Sequence, residues 1–225
     1  MKDLKYLFAY TVPLSVYISF ISSGPWTFFA VFYVFVILPL MDLISGEMKE
    51  NLSDDHISYL KKKWIFDLML YLNFPIVFGL LCLILVNIHS NNYELYEILG
   101  LALSSGILLA TNGINVAHEL GHRNSFFDRL LSQILYIPCL YMHFYIEHNF
   151  GHHLKVATPE DGATAKFNQS LYSFWFSSVT RQYISAWRIQ FQMLKRDGLN
   201  FFSIRNKMLS YHIIQAMYIF GIYYL

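Results

Sequence analysis

The sequence predicts an all-α integral membrane protein. Hydrophobic residues make up 56% of its 225 residues and charged residues only 14%, whereas soluble domains carry about 25% charged residues. Apolar runs close to 20 residues long, the length that crosses the hydrocarbon core, recur along the chain. We therefore expect a helical bundle of about four full spans, with a re-entrant apolar segment, an interfacial amphipathic helix and the start of a fifth span.

Four apolar runs in the first half are interpreted as membrane spans. They cover residues 4–21, 26–44, 64–88 and 96–117. The first run could be the core of a signal peptide, but it continues through Ser-Ser-Gly-Pro into the next run without an A-x-A cleavage site. Asp42, near the end of the second run, is expected at the headgroup level, where a carboxylate costs little. Residues 1–117 are thus expected to hold four spans.

Residues 118–207 are expected to lie on one side of the membrane. The apolar run 130–146 has Pro138 in its middle, and if it crossed the bilayer it would separate two histidine motifs that flank it. We interpret it as re-entrant, with its irregular backbone covered by protein. Residues 170–196 place Arg181, Arg188 and Lys195 seven residues apart beside an apolar face, which predicts a helix in the membrane interface. Residues 208–225 begin a further span, and the whole chain is expected to be a single membrane domain.

The basic residues predict the orientation of the chain. If the spans alternate, all sixteen Lys and Arg residues fall on one side, and the loops at 22–25 and 89–94 carry none. The positive-inside rule makes that side cytoplasmic, so we expect a multi-pass protein of the cell inner membrane. The net charge of +1 gives no reason to expect nucleic acid as a partner. Cys82 and Cys139 lie in apolar runs and indicate no disulfide framework.

Two short motifs carry five of the nine histidines: HELGH at 118–122 and HNFGHH at 148–153. In a helix, residues four apart leave the same face, so the first and last histidines of HELGH should lie together, as should His148 and His152, with His153 beside them. Imidazole suits zinc, copper, iron and nickel. Five ligands exceed the needs of one tetrahedral zinc, so we expect more than one ion or a higher coordination number. The remaining histidines, including His143 and His212, are expected to be ordinary polar residues.

Three functions remain open on these residues alone. HELGH satisfies the HExxH pattern of zinc proteases, with Glu119 as the general base. The second motif argues against a protease, because a protease needs one further ligand and not three. The leading interpretation is oxygen activation by iron, and the third is a non-catalytic remnant that binds no metal.

Longer motifs carry a family resemblance. NGINVAHELGHR at 112–123, FYIEHNFGHH at 144–153, VATPEDGA at 156–163 and PLMDLISGE at 39–47 resemble the integral-membrane alkane 1-monooxygenases. Xylene monooxygenases and the membrane fatty-acid hydroxylases and desaturases are the wider relatives. The resemblance implies two non-haem iron ions held by histidines on the cytoplasmic side of a six-span bundle. It also implies O2 as co-substrate, a terminal C–H bond of an apolar hydrocarbon as the target, and NADH electrons delivered by a reductase and a rubredoxin-type carrier. The ligands implied are His118, His122, His148, His152 and His153.

Ligating histidines usually give their second N–H to a carboxylate or a carbonyl. The nearby residues that could accept it are Asn115, Glu119, Glu147, Glu160 and Asp161. The chain departs from the family in lacking further motifs of the HYG and HSDHH type, since only His212 follows HNFGHH. We therefore interpret it as the first portion of such an enzyme, in which the second iron would lack ligands and turnover by this chain alone is in question.

Overall fold

The computed structural model of the protein describes residues 2–46 and 63–224, and these residues form helices and connecting loops without strands. The predicted all-α membrane fold is confirmed. The chain divides into two compact units, Met1–Ala117 and His118–Leu225. The loop between the second and third predicted spans, with Glu47, Lys49, Lys61 and Lys62, lies outside the described residues, as does Leu225.

The N-terminal unit contains a helix at the position of each predicted span. A 3₁₀ helix, Lys2–Tyr10, leads into α1, Thr11–Ile21, which is followed by α2, Gly24–Ser45, α3, Trp64–Ser90, and α4, Leu95–Gly121. Among the described residues, α2, α3 and α4 are long and apolar enough to cross a membrane, and residues 5–21 form a shorter apolar helix. The last four residues of α4 begin the C-terminal unit.

Buried polar contacts connect the apolar helices of this unit. The Asn112 amide donates to the Asn73 side-chain oxygen at 2.7 Å, and the Ser104 hydroxyl donates to the Thr27 carbonyl at 2.9 Å. Hydrogen bonds between membrane helices contribute about 0.6 kcal/mol each on average. Their main effect is to determine which faces of α2, α3 and α4 pack together. Apolar side chains contact lipid as readily as they contact another helix, so they do not select these faces by themselves.

The C-terminal unit adds four helices. They are α5, Phe126–Leu135; α6, residues 143–155; α7, Leu171–Arg196; and α8, Lys207–Tyr223. Side-chain oxygens cap three of them: Ser125, Ser170 and Asn206 each accept a hydrogen bond from a backbone N–H in the first turn. Such caps stabilise a helix by about 1 kcal/mol and explain where these helices begin.

The apolar run 130–146 is not one helix. Helix α5 ends at Leu135, turns occupy the next residues, and α6 begins at His143. Pro138 lies in these turns, where a proline cannot continue a helix, and Leu140 has a positive φ of 51°. At 1.5 Å per residue α5 is about 15 Å long, which is half of a hydrocarbon core. The re-entrant position of the run stays a prediction.

Helix α7 has a polar buried face and an apolar exposed face. The buried residues recur every four positions and are mostly polar or small: Ser178, Gln182, Ala186, Gln190 and Leu194. The exposed side includes Tyr172, Trp175, Phe176 and Phe191. This is the reverse of a helix on a soluble domain, and it favours a helix that rests its aromatic side chains against lipid. The interfacial position of residues 170–196 nevertheless stays a prediction.

Candidate metal centre

Four imidazole nitrogens converge in the C-terminal unit, and they come from both histidine motifs. The Nε2 atom of His148 lies 2.7 Å from that of His118, 3.0 Å from that of His122 and 3.1 Å from that of His153. The Nε2 atoms of His118 and His122 are 3.0 Å apart. The structure thus brings four of the five predicted ligands to one point.

These distances are not explained by hydrogen bonds alone. A ring nitrogen carries either a proton or a lone pair. Among the three mutually close Nε2 atoms of His118, His122 and His148, at least two must therefore be of the same kind and repel each other. A cation that accepts all the lone pairs removes this repulsion. The triangle is consequently a site in which a metal ion fits.

The spacing of the nitrogens favours a coordination number above four. With a metal–nitrogen bond of about 2.1 Å, two ligands at a right angle lie about 3.0 Å apart and two tetrahedral ligands about 3.4 Å apart. The observed separations, 2.7 to 3.1 Å, are closer to the right-angle value.

A π-helical turn determines which histidines of the second motif reach the site. Residues His148–His152 form a π helix, in which backbone hydrogen bonds join residues five apart instead of four apart. His148 and His152 do stack, with ring centroids 5.2 Å apart, as the i, i+4 spacing predicts. The wider turn adds His153 to the same side, and it is His153 whose Nε2 approaches His148. A sequence pattern does not reveal a π turn, so this detail could not be predicted.

The glycine in each motif allows another helix to approach closely. A Cβ atom on Gly121 would lie 3.0 Å from the Ser132 hydroxyl of α5, and one on Gly151 would lie 2.9 Å from Cδ1 of Ile189 on α7. A side chain at either position would force these neighbouring side chains to move. The glycines of HELGH and HNFGHH therefore serve packing around the site.

His152 is oriented by a buried carboxylate. Its Nδ1 lies 3.0 Å from Oδ2 of Asp161, which is 1% exposed. The Thr164 hydroxyl and the Ala163 N–H also donate to Asp161, at 2.5 and 2.9 Å. Burial by itself would raise the pKa of Asp161, but these hydrogen bonds outweigh it and lower the pKa. The carboxylate stays charged and accepts the Nδ1–H of His152, so that Nε2 is the nitrogen of the ring that remains available to a metal. Thr164 was not singled out in the sequence, because only its fold-dependent contact reveals its role.

Glu147 is a second buried carboxylate, one residue before His148. It is 2% exposed, and its Oε2 has no hydrogen-bond partner among the described residues. Burial, followed by the nearby charge of Asp161, raises its pKa. Its other carboxylate oxygen lies next to Gly151, so the Glu147 side chain occupies the space beside the glycine of the second motif.

The other three polar residues expected beside the ligands are placed differently. Glu119 is exposed and lies near the end of α4, between two of the predicted ligands in the sequence. Glu160 is exposed and lines a cavity of about 370 Å³ together with Lys155, Arg181 and Arg188. Asn115 is exposed and belongs to the N-terminal unit. Among the described residues, no hydrogen bond connects Glu160 or Asn115 to a histidine.

His148 is held in the neutral form that metals require. Burial, followed by the neighbouring imidazoles, lowers the pKa of His148 to about 3. The ring of Phe144 stacks on His148 at 4.8 Å between centroids and shields one side of the site. Nitrogen donors without a thiolate among them suit iron as well as zinc or copper.

Comparison with known proteins agrees with this site. A family model described as fatty acid desaturase matches residues 95–225, which include both histidine motifs. The chain is 36% identical over 182 residues to an alkane 1-monooxygenase of Ectopseudomonas oleovorans, covering 80% of this chain and 45% of that protein. It is 34% identical over 183 residues to an alkane 1-monooxygenase of Pseudomonas putida, with the same coverage of each chain.

A third relative is the xylene/toluene monooxygenase hydroxylase component XylM of Pseudomonas putida. It is 28% identical over 220 residues, covering 94% of this chain and 56% of that protein. The chain therefore spans about half the length of the relatives it matches. Because the family model covers more than half of the chain, the protein belongs to the fatty acid desaturase family, and within that family it is similar to the alkane 1-monooxygenases.

Proposed function

We propose that this protein is a non-haem di-iron monooxygenase that hydroxylates the terminal carbon of alkanes or of similar hydrocarbon chains. The observation that carries the proposal is the convergence of four imidazole nitrogens from HELGH and HNFGHH within 2.7 to 3.1 Å of their neighbours. The similarity to proteins named alkane 1-monooxygenase supports the substrate class.

The proposed ligands are five histidines. Four of them are offered through the converging Nε2 atoms, and His152 is offered through Nε2 because Asp161 occupies its Nδ1. The proposed metal ligands are His118, His122, His148, His152 and His153. The proposed supporting residues are Asn115, Glu119, Glu147, Glu160 and Asp161, and the contacts favour Asp161 and Glu147 among them.

Bound iron would supply the activation of O2, because an unactivated C–H bond offers no group for acid–base attack and the cofactor must carry that chemistry. The residues of this chain have other tasks. Asp161 accepts the Nδ1–H of His152 and so fixes the tautomer and the ring orientation. Phe144, stacked on His148, keeps water from that side of the site. Exposed apolar side chains on α7 and α8 meet the membrane, from which a hydrocarbon chain would arrive.

Electrons are proposed to come from NADH through a reductase and a rubredoxin-type carrier. The cavity between the 156–162 loop and α7 offers a docking point for an acidic protein, because Lys155, Arg181 and Arg188 outnumber Glu160 there. We place the site on the cytoplasmic face of the inner membrane, in a single membrane domain with residues 118–207 on that face. Residues 130–146 are proposed to be re-entrant, residues 170–196 interfacial, and residues 208–225 the start of a further span.

Metal content and product analysis test the proposal. The protein is purified in lipid nanodiscs from iron-rich medium, its metals are counted by mass spectrometry, and the iron is typed by Mössbauer spectroscopy. The nanodiscs then receive octane, O2, NADH, a reductase and rubredoxin, and octan-1-ol is measured by gas chromatography. Toluene serves as the competing substrate, because one relative is named for xylene and toluene.

Iron with octan-1-ol formation is the expected result, and His148→Ala should abolish both. Iron without any alcohol would leave the metal assignment standing and refute turnover by this chain. Purification with zinc alone, whatever the iron supply, would refute the monooxygenase proposal.

A further inference from the structure

A tyrosine and a histidine outside the metal centre share a short hydrogen bond. The Tyr183 hydroxyl on α7 lies 2.8 Å from Nε2 of His212 on α8. The other ring nitrogen of His212, Nδ1, lies 2.6 Å from the carbonyl oxygen of Met208. Both residues belong to the C-terminal unit.

The second contact determines the direction of the first. A carbonyl oxygen can only accept, so Nδ1 of His212 must carry the proton and donate it. The hydrogen bond made by one ring nitrogen sets the state of the other, and Nε2 of the neutral ring is therefore an acceptor. Tyr183 donates its hydroxyl proton to a base that is already aligned to receive it.

A series of ring contacts leads from this pair to the metal centre. His143 lies between Tyr183 and Tyr141, with ring centroids 5.2 and 4.7 Å away. Tyr141 stacks on Phe144 at 5.2 Å, and Phe144 stacks on the ligand His148 at 4.8 Å. No step exceeds 5.2 Å between centroids, so an aromatic path is continuous from His148 to Tyr183. Tyr141 is an intermediate ring on this path that can itself lose an electron.

The outer end of the path is accessible. Tyr183 is 38% exposed, and Trp187, whose ring centroid is 5.3 Å from that of His212, stacks on Phe191, which is also exposed. An exposed end allows a reductant to reach the pair. A tyrosine that served packing alone would need neither the aligned base nor the path to a ligand.

We propose that Tyr183 and His212 form a redox-active pair that supplies single electrons to the metal centre when O2 has been activated without a substrate to attack. Tyr183 loses one electron, which would pass by way of Tyr141 to the iron held by the histidines, where O2 chemistry at bound iron would supply the one-electron acceptor. The O–H bond of Tyr183 breaks, its proton moves to Nε2 of His212, and a neutral tyrosyl radical and an imidazolium remain. A lipid-soluble one-electron reductant, such as a quinol, returns the electron, and the proton moves back.

The link to the metals rests on the proposed function, but the pair itself does not, and two experiments separate them. In the first, metal-free protein in nanodiscs is oxidised by light with a ruthenium tris-bipyridyl complex and persulfate, then frozen, and the radical is recorded by electron paramagnetic resonance. We expect a long-lived tyrosyl signal that loses most of its intensity in Tyr183→Phe. His212→Leu should shorten its lifetime, because the proton then has no acceptor.

Tyr172→Phe is the matched control. Tyr172 lies on the same helix and is 78% exposed, and its hydroxyl has no hydrogen-bond partner among the described residues. This variant should keep the long-lived signal. If Tyr183→Phe keeps it as well, the pair proposal is wrong, whatever metal the protein binds. To guard against misfolding of a variant, 3-fluorotyrosine at position 183 should change the hyperfine pattern of the signal without altering the fold, and an unchanged pattern would also refute the pair.

In the second experiment, iron-loaded protein without hydrocarbon is mixed with hydrogen peroxide and freeze-quenched. The same Tyr183 radical is expected, together with less oxidation of the ligand histidines in wild type than in Tyr183→Phe by peptide mass spectrometry. A radical in the first experiment and none in the second, with iron bound, would refute the link to the metals. A protein that binds no iron would refute the proposed function and the link but leave the pair established by the first experiment.

Discussion

The Nε2 atoms of His118 and His148, 30 residues apart in sequence, lie 2.7 Å apart. Because His122 adds a third nitrogen 3.0 Å from each, the three rings cannot all be satisfied by mutual hydrogen bonds. This arrangement makes the site costly to hold together without a cation. Metal binding should therefore stabilise the C-terminal unit, and removal of a converging nitrogen should weaken binding.

Replacing His148 with alanine is predicted to lower iron affinity strongly. Loss of a residue that only supports a ligand lowers metal affinity by roughly 10- to 100-fold. Because this variant removes a proposed ligand, we expect a loss at least as large. The measurement is competition for iron against a chelator of known affinity. His89→Ala is the control, because His89 is an exposed histidine at the end of α3 in the other unit. Equal affinities in the two variants would show that the convergence is not a metal site.

Asp161→Asn tests how the loop after the second motif contributes. The amide cannot offer the charged acceptor that fixes His152, and hydrogen bonds to a charged group are about twice as strong as neutral ones. Iron affinity should fall by roughly 10- to 100-fold, in the same competition assay, while the helical content by circular dichroism stays the same. Asp197→Asn removes an equal charge from an exposed position after the last residue of α7 and should change affinity little. A larger loss in the Asp197 variant would contradict the assignment of Asp161.

The sequence predicts the helices and the converging histidines better than it predicts the residues that surround those histidines. The apolar runs indicate α2, α3 and α4 because a membrane span requires a certain length and an apolar composition, and the sequence gives both directly. The helical spacing of His118 and His122 likewise follows from the sequence. The π turn at His148–His152 depends on how α6 packs against α7, and no local pattern reveals it.

The first predicted span shows a different limit. Residues 4–21 are apolar throughout most of their length, yet the described part begins as a 3₁₀ helix, Lys2–Tyr10, and the apolar helix is shorter than the other three.

The Tyr183–His212 pair could not be predicted from the sequence either. Its members are 29 residues apart, and a single histidine in an apolar run has the pattern of an ordinary polar residue.

Gly151→Ala is predicted to destabilise the C-terminal unit. The new methyl group would lie 2.9 Å from both Cδ1 of Ile189 and Oε1 of Glu147, so one of them must move, and overpacking of this kind costs about 1–3 kcal/mol. Thermal unfolding in detergent, followed by circular dichroism, measures the effect. Gly221→Ala is the control, because its Cβ meets no atom within 4 Å and alanine is the better helix former by about 0.5–1 kcal/mol. If Gly151→Ala were as stable as Gly221→Ala, the close approach of α6 and α7 would be wrong.

Acid should destabilise the C-terminal unit through His143. This side chain is 7% exposed, and its Nε2 has no hydrogen-bond partner among the described residues. Burial, followed by the charge of His212, lowers its pKa to about 4, whereas an unfolded histidine has a pKa of about 6.5. The folded state therefore binds the proton less readily than the unfolded state. Above about pH 6.5 His143 is neutral in both states and does not lower the free energy of unfolding. As the pH falls from about 6.5 to about 4, the unfolded state takes up the proton first, and the free energy of unfolding decreases.

The His143→Phe variant isolates this contribution, because phenylalanine keeps a ring against Tyr141 and Tyr183 but cannot take a proton. The free energy of unfolding of metal-free protein is measured by urea titration at several pH values between 7 and 4, so that metal release does not enter. The wild type should lose up to about 3 kcal/mol more than the variant over this range, since each unit of pKa difference corresponds to about 1.4 kcal/mol. The other acid-sensitive groups, His148 among them, are common to both proteins and cancel in the difference. Parallel curves for the two proteins would mean that His143 is hydrated or hydrogen-bonded and not buried in its neutral form.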